Sequence, residues 1–339
     1  MEQLEKEWVT VHLLIYNHKN DLQSCIESVL RQDYKPLELI VSDNSSSDGS
    51  AEFVERHYPH LTLIKNPENL GYSRGHNQII NRCRGTYFMP LNPDTVLSEN
   101  YIQELVKAMK VDRSVGMVTG KLYRNENRVI DSTGIFFTLT LRHLDRGSNR
   151  RDEGQFEHLE YVFGVSGAAP LFKKDMLDDI KIMDEYFDND FFSYREDADL
   201  AWRAQLMGWK AIYTPSAVAY HKRRVLPSNR RKTPEEINIH SVKNRFLMRI
   251  KNLTWGVGLK TFFFFTVRDL SIIGYILLIE RASLKAFLLV LKDLPRAIEK
   301  RKRIMKKKAV RDSYLSSWFS WKPRGEQASY PLLGGQQTP

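Results

Sequence analysis

V-T-V-H-L-L-I-Y-N-H-K-N-D-L-Q-S-C-I-E-S-V-L-R-Q-D-Y-K-P-L-E-L-I-V-S-D, residues 9 to 43, decides the fold class. Val9 to Tyr16 is mostly apolar, of strand length and largely without alternation, as in a parallel strand buried on both faces. Asn17 to Asn20 make a loop. Leu22, Cys25, Ile26, Val29 and Leu30 then recur at helical spacing, and Leu37 to Val41 is a second strand. Outward from this unit the alternation continues. A helix is expected from about Ser50 to Tyr58 and a strand from Leu61 to Lys65. The polar loop N-P-E-N-L-G-Y-S-R-G-H-N leads into a helix through Arg82, followed by a strand from Thr86 to Leu91. A helix from about Glu99 to Lys110 and a strand from Val115 to Gly120 complete the series. Strand and helix in regular alternation predict an open, mostly parallel α/β sheet.

In such sheets a ligand lies beyond the carboxyl ends of the strands. Tyr16 and Asn17 follow the first strand, Asp43 and Asn44 the second, and Asn92-Pro93-Asp94 the fourth. Each also has a plain reading, since Asp43 to Gly49 and Asn92 to Asp94 are rich in turn formers. No G-x-G-x-x-G follows the first strand and no G-x-x-x-x-G-K-[ST] occurs, which disfavours dehydrogenases and P-loop NTPases. Residues 121–160 are polar and irregular, and loops that long are usually functional or mobile. V-F-G-V-S-G-A-A, from Val162 to Ala169, places small residues where backbone or ligand can approach closely.

The stretch from Asp184 to His221 runs from a loop crowded with aromatics and acids into a short helix and then a strand. It holds Glu196, Asp197 and Asp199 within four residues, beside Phe191, Phe192 and Tyr194. Carboxylates in apolar company are costly unless they pair, bind metal or handle protons. Asp197 also fits an N-cap, and Asp199 with Arg203 fits an i,i+4 ion pair.

Taken together, I-Y-N, S-D-N-S-S-S-D-G-S, N-L-G-Y-S-R-G-H-N, L-N-P-D-T, G-A-A-P-L-F-K-K-D and F-F-S-Y-R-E-D-A-D-L-A-W-R resemble glycosyltransferase family 2, the inverting nucleotide-sugar enzymes of GT-A fold. The resemblance spans about Val9 to His221. L-N-P-D-T, V-I-D-S-T-G and Y-R-E-D-A-D-L-A-W-R look most like bacterial rhamnosyltransferases that act on lipid-linked cell-surface glycans. The resemblance implies that Tyr16, Asn17 and Asp43 line the nucleotide-base pocket, and that Arg74 and Asn77 lie along the diphosphate. Asp94 corresponds to the last residue of the family's D-x-D metal motif, and Asn92 stands at its first position, which removes one carboxylate. A hard cation, Mg²⁺ or Mn²⁺, tolerates this when diphosphate oxygens and water complete its shell. His221 matches a histidine that is a metal ligand in some members. Asp197 matches the catalytic base, with Glu196 among the residues around the substrate. The implied reaction moves L-rhamnose from dTDP-L-rhamnose to a lipid-linked saccharide. The alternatives are another donor sugar (galactose, galactofuranose, N-acetylhexosamine) or a non-catalytic nucleotide-sugar-binding scaffold, which the Asn92 departure would suit.

Charge divides the chain at the same histidine. Residues 1–220 carry 25 Lys+Arg against 33 Asp+Glu, and residues 221–339 carry 26 against 8. The expected organisation is a catalytic domain, 1–221, with a donor half to about 120 and an acceptor half from 121. A helical, basic, membrane-associating region, 222–322, and a disordered tail, 323–339, follow. Lys260 to Glu280 is long and apolar enough to span a bilayer, but Arg268 and Asp269 sit at its middle, each costing about 2.5–3.5 kcal/mol there. A helix lying in the membrane interface is favoured, with a core helix as the plain alternative. K-R-K-R-I-M-K-K-K, from Lys300 to Lys308, attracts a polyanion. Its aromatic neighbours, Trp318-Phe319-Ser320-Trp321 among them, favour an anionic membrane surface over nucleic acid. Only two cysteines, Cys25 and Cys83, and the acidic start M-E-Q-L-E-K-E-W predict a reducing, cytoplasmic setting without a signal peptide, on the inner face of the cell membrane.

Overall fold

The computed structural model describes residues 7–124, 128–223 and 235–322. The tail expected to be disordered, 323–339, lies outside the described residues. The chain begins β1 (Val9–Ile15), α1 (Lys19–Leu30), β2 (Leu37–Asp43), α2 (Ser50–His57), β3 (Thr62–Lys65), α3 (Gly71–Ile80) and β4 (Tyr87–Leu91). β1 pairs in parallel with both β2 and β4, and β2 with β3. The chain therefore builds outward from β1 to β3 and then crosses back to the other side of β1. That reversal opens a crevice at the carboxyl end of β1.

Beyond β4 the sheet becomes mixed. β5 (Thr95–Leu97), α4 (Tyr101–Met109), β6 (Val115–Tyr123) and β7 (Ile130–Ser132) come next, then a hairpin of β8 (Ile135–Phe137) and β9 (His143–Asp145). β10 (Glu160–Val162), β11 (Leu171–Lys173), α5 (Lys174–Ile180), α6 (Glu196–Leu206) and β12 (Lys210–His221) complete this part. β11 sits antiparallel between β4 and β6, and β12 runs parallel to β6. β5 pairs with the end of β12 so that Thr95 faces His221, which brings Asp94 beside that histidine.

Both faces of the sheet are covered, as the apolar reading of β1 predicts. Val9, Val11, Leu13 and Ile15 are fully buried in one cluster with α1 and α4, and Cys25 is a buried free thiol there. Phe88, Phe172, Trp202 and Phe187 belong to the cluster on the other face. One element departs from expectation: N-L-G-Y-S-R-G-H-N is mostly helix, not loop. Gly71 makes this possible, at φ 71° with the Phe192 carbonyl so near that a Cβ would lie 2.3 Å from it. Only glycine combines that backbone with that approach.

After His221 come α7 (Glu235–Asn252), α8 (Trp255–Leu278), a 3₁₀ turn (Arg281–Leu284), α9 (Lys285–Lys307) and α10 (Asp312–Ser317). These helices share the second core cluster. Trp318 and Phe319 are buried against Phe137, Phe163 and Trp202, with ring centroids 5.4 Å apart for Phe137–Phe319 and 5.2 Å for Trp202–Phe319. The aromatic run expected to face a membrane is thus mainly interior, because its rings complete an aromatic cluster, and only Trp321 of the three is exposed. Lys300, at the head of the basic run, is likewise buried, held by Glu185 at 2.9 Å and Asp190 at 2.7 Å. α8 is different. Among the described residues it is the one helix long and apolar enough to cross a membrane by length and composition, and little of it is buried.

Candidate active site

The site assembles where β1, β2 and β4 end. Tyr16 is exposed at the mouth, and Asn17 turns the chain at φ 57°. The Asn17 side-chain carbonyl accepts the Ser47 N–H at 2.8 Å, tying the first loop to S-D-N-S-S-S-D-G-S. Asp43 is buried at the end of β2. One of its carboxylate oxygens accepts the Ser46 N–H at 3.0 Å, while the other, Oδ1, is buried without any partner. A buried acceptor left open costs free energy unless a ligand donor meets it.

Asp94 and His221 face each other across the β5–β12 pairing, with Asp94 Oδ1 3.3 Å from His221 Nε2. The other ring nitrogen, Nδ1, lies 2.8 Å from Asp131 in the V-I-D-S-T-G stretch. Burial opposes protonation of this imidazole, but the Asp131 and Asp94 carboxylates outweigh it and push its pKa up to about 9. A carboxylate behind a histidine whose far nitrogen meets a second carboxylate is a common arrangement around protein-bound cations. The donor set fits one hard cation. Asp94 oxygen and His221 Nε2 converge, and a cation would take the place of the Nε2 proton. Asn92 Nδ2 stands 3.4 Å from the same nitrogen as a neutral neighbour. No group of three or more His, Cys, Asp and Glu side chains among the described residues is arranged to hold an ion, so Asp94 and His221 would be the protein's two donors to such a cation.

Asp197 enters from α6. It is not the N-cap, a place taken by Arg195. Its Oδ2 accepts the Gly167 N–H at 3.1 Å and its Oδ1 the Ala198 N–H at 2.7 Å. The next residue, Ala168, accepts the Asn92 N–H through its carbonyl at 2.9 Å. Two consecutive residues of V-S-G-A-A thus bind Asp197 and the Asn92-Pro93-Asp94 turn. Glycine suits position 167, where a Cβ would lie 3.2 Å from Tyr72 Oη. Burial and the Asp145 carboxylate push the Asp197 pKa up to about 6, against its two N–H donors. Glu196 is more deeply buried, its Oε2 has no partner, and burial together with Asp197 pushes its pKa up to about 8. Arg223 spans the back of the site, its Nε 3.2 Å from Asp131 and its guanidinium 2.6 Å from Asp145.

Residues 10–181, just over half of the chain, match the profile of "Glycosyl transferase family 2". The chain belongs to glycosyl transferase family 2. The poly-beta-1,6-N-acetyl-D-glucosamine synthase of Staphylococcus aureus (strain MSSA476) is 27% identical over 219 residues, 64% of this chain and 50% of its own length. The enzyme of the same description from Staphylococcus epidermidis is 25% identical over 222 residues. The chain spans about half the length of these curated relatives. Among solved structures, the mannosyltransferase PcManGT from Pyrobaculum calidifontis in complex with GDP-Man and Mn²⁺ superposes with a TM-score of 0.53 at 18% identity, over 93% of this chain and 88% of that one. GalNAc-T7 with UDP, GalNAc and Mn²⁺ gives 0.57 at 12% identity, over 74% and 48%. These structures share the GT-A fold, a mixed α/β sheet followed here by a helical region.

Within that family frame, two of the expected site residues stand apart from the cluster. Arg74 is exposed on α3 with no ion-pair partner among the described residues. Asn77 is fully engaged inside the protein, its amide donating to the Phe187 carbonyl at 2.7 Å and accepting the Phe187 N–H at 2.9 Å. It holds the acidic loop and has no amide group left to offer a diphosphate. Three residues at the site were missed: Asp131, Asp145 and Arg223. Asp131 lay in a stretch quoted for its likeness, but its partner is 90 residues away. No spacing rule reaches across that distance.

Proposed function

We propose that this chain is an inverting glycosyltransferase that moves a sugar from a nucleoside-diphosphate donor to a hydroxyl of a lipid-linked or cell-surface glycan. The observation that carries this is the linkage through Gly167 and Ala168, which sets a raised-pKa carboxylate, Asp197, beside the Asp94–His221 pair. In this reading Tyr16, Asn17 and Asp43 receive the nucleotide base, the open Asp43 Oδ1 accepting a base N–H. Asp94 and His221 would hold Mg²⁺ or Mn²⁺, and such a cation would supply positive charge against the charge gathering on the departing diphosphate. Asn92 stays neutral at the edge of that group, and Asp131 keeps the imidazole turned toward Asp94. Asp197 takes the proton of the acceptor hydroxyl as it attacks the anomeric carbon from the face opposite the leaving group, so a single displacement inverts the centre. A positioned base contributes on the order of 10²–10⁴-fold. Glu196, uncharged near neutral pH, spares Asp197 a like-charged neighbour and keeps the base ionisable.

The donor we propose is dTDP-L-rhamnose, on the wording of L-N-P-D-T and Y-R-E-D-A-D-L-A-W-R. A second reading, a UDP-N-acetylhexosamine, is favoured by the N-acetyl-D-glucosamine synthases among the relatives. Work at the inner face of the cell membrane suits a lipid-linked acceptor under either reading. Transfer assays with a panel of nucleotide sugars, with and without EDTA, decide between them. Turnover with dTDP-L-rhamnose alone supports the first donor and turnover with a UDP-sugar alone removes it. Asp197→Asn should bind donor normally and lose transfer by at least about 10²-fold. Near-normal turnover in that variant would take Asp197 out of the role.

A further inference from the structure

α8 is amphipathic with its sides reversed. Trp255, Leu259, Phe262, Phe263, Leu270 and Leu278 recur at helical spacing and are all exposed, from 63% to 84%. The charges at its midpoint point the other way. Arg268 reaches the Thr140 carbonyl and hydroxyl at 3.4 Å, and Asp269 pairs with Arg249 of α7 at 2.6 Å. The two ends are fastened to the body as well. Gly256 donates its N–H to Asp312 at 2.7 Å, and Ile276 is buried with Val242 of α7. The helix thus lies along the protein over its whole length and presents apolar side chains outward over its whole length.

α9 continues this surface past the 3₁₀ turn. Leu284, Leu288, Leu291 and Ile298 form a second exposed apolar stripe, and the same helical row carries on into Lys302 and Lys306. Lys285 and Lys292 flank the stripe. All four lysines are exposed and without ion-pair partners among the described residues. An apolar stripe edged by free lysines matches the interfacial zone of an anionic bilayer, where acyl chains meet negatively charged headgroups. A second copy of the chain pairing through this face would bring together two surfaces edged with the same positive charge.

We infer that α8 and the outward row of α9 form an in-plane membrane-docking face, with α8 lying in the headgroup–acyl boundary of an anionic bilayer and not crossing it. At 1.5 Å per residue α8 is about 36 Å long, enough to span. Crossing would require it to leave Arg249, Thr140, Asp312 and Val242 together. This inference refines the membrane placement proposed above, and it specifies how the face meets the lipid.

The test uses the purified full-length chain and vesicles of equal parts phosphatidylglycerol and phosphatidylcholine. Flotation should show binding that falls roughly tenfold or more on pure phosphatidylcholine or in high salt. Phe263→Ser with Leu270→Ser should cut binding by a similar factor while leaving the melting temperature and transfer to a soluble acceptor unchanged. Labels placed through Leu259→Cys, Leu270→Cys and Leu278→Cys, quenched by lipids brominated at known depths, should all report one shallow depth. A deep 270 between shallow ends on opposite leaflets overturns the in-plane geometry. Equal flotation on both vesicle types, or none at all, overturns the docking face. Concentration-dependent dimers that these substitutions dissolve, without vesicle binding, assign the face to a second copy. Flotation needs no turnover, so lipid binding without transfer from any donor would count against the proposed reaction and not against this surface.

Discussion

Asp197 and Glu196 are adjacent in sequence and opposite in use. Asp197 keeps part of its surface open and two N–H donors, and its pKa settles at about 6. Glu196 is enclosed, without a partner for Oε2, and stays protonated to about 8. As a base, Asp197 works only when ionised. The rate of transfer under subsaturating acceptor should therefore fall as pH drops through about 6 and level off above it, and a pH–kcat/KM profile measures this directly. A profile flat to pH about 4 would assign proton removal elsewhere. Behind the other half of the site, Asp131 orients His221 and supplies charge. In Asp131→Asn, Mn²⁺ should bind the EDTA-stripped protein about 10–100-fold more weakly in the presence of nucleoside diphosphate, as outer partners of metal-binding histidines usually cost when removed. At this scale the sequence showed the acids but not their sorting. Burial separates Glu196 from Asp197, and a contact over 90 residues supplies Asp131, and neither is written in local spacing.

α7 clasps the loop that leads into Asp197, the proposed base. Tyr194 and Arg195 both sit in left-handed backbone, φ 69° and 76°, immediately before Glu196. Such conformations cost of order 1–3 kcal/mol each in residues other than glycine and persist only where the surroundings enforce them. The enforcement comes from α7. Asn244 donates to the Ser193 carbonyl at 2.9 Å and the Tyr194 carbonyl at 2.8 Å, and Arg195 donates to the Ser241 carbonyl at 2.9 Å. Further along α7, Lys251 meets Asp199 at 2.8 Å and Asn252 meets it at 2.7 Å. The acids from Glu185 to Asp199 thus divide into a set paired with α7 and α9 and the pair Glu196–Asp197, which has no such partner among the described residues. Asn244→Ala leaves two part-buried carbonyls short of a donor, about 0.5–1.5 kcal/mol for each hydrogen bond lost. It should lower kcat more than tenfold with little change in donor KM, and steady-state kinetics on the folded variant read this out. The alternating strands and helices up to Tyr123 were legible because each is a local pattern of apolar residues. The clasp was not, because α7 reads on its own as a basic, polar helix, and its basic and amide side chains acquire their partners only when it packs.

At the scale of the molecule, the charge boundary at His221 is not a boundary in the core. Phe319 is fully buried, its ring meets Phe137, Phe163 and Trp202, and a backbone bridge joins it to Phe137. Those three residues belong to the hairpin, the V-F-G-V segment and α6, which carries Asp197. The last described turn of the chain therefore seals the face of the sheet on which Asp197 is mounted. The same helices that present α8 outward complete the interior, which fixes the orientation of the catalytic crevice relative to any surface α8 meets. Composition predicted a basic appendage, and the excess of charge is real. But Lys243, Lys251 and Lys300 spend theirs on Asp293, Asp188 and Glu185 inside the fold, where no hydropathy or charge count would place them. If the helical region were only an anchor, weakening its seal would spare the enzyme. If it completes the body, Phe319→Ala should cost about 3–5 kcal/mol, the usual loss for a buried phenylalanine. The variant should then unfold in one transition at lower denaturant, with helix and sheet signals lost together. Two separate transitions, the first leaving donor binding intact, would mean that the sheet body stands without its helices.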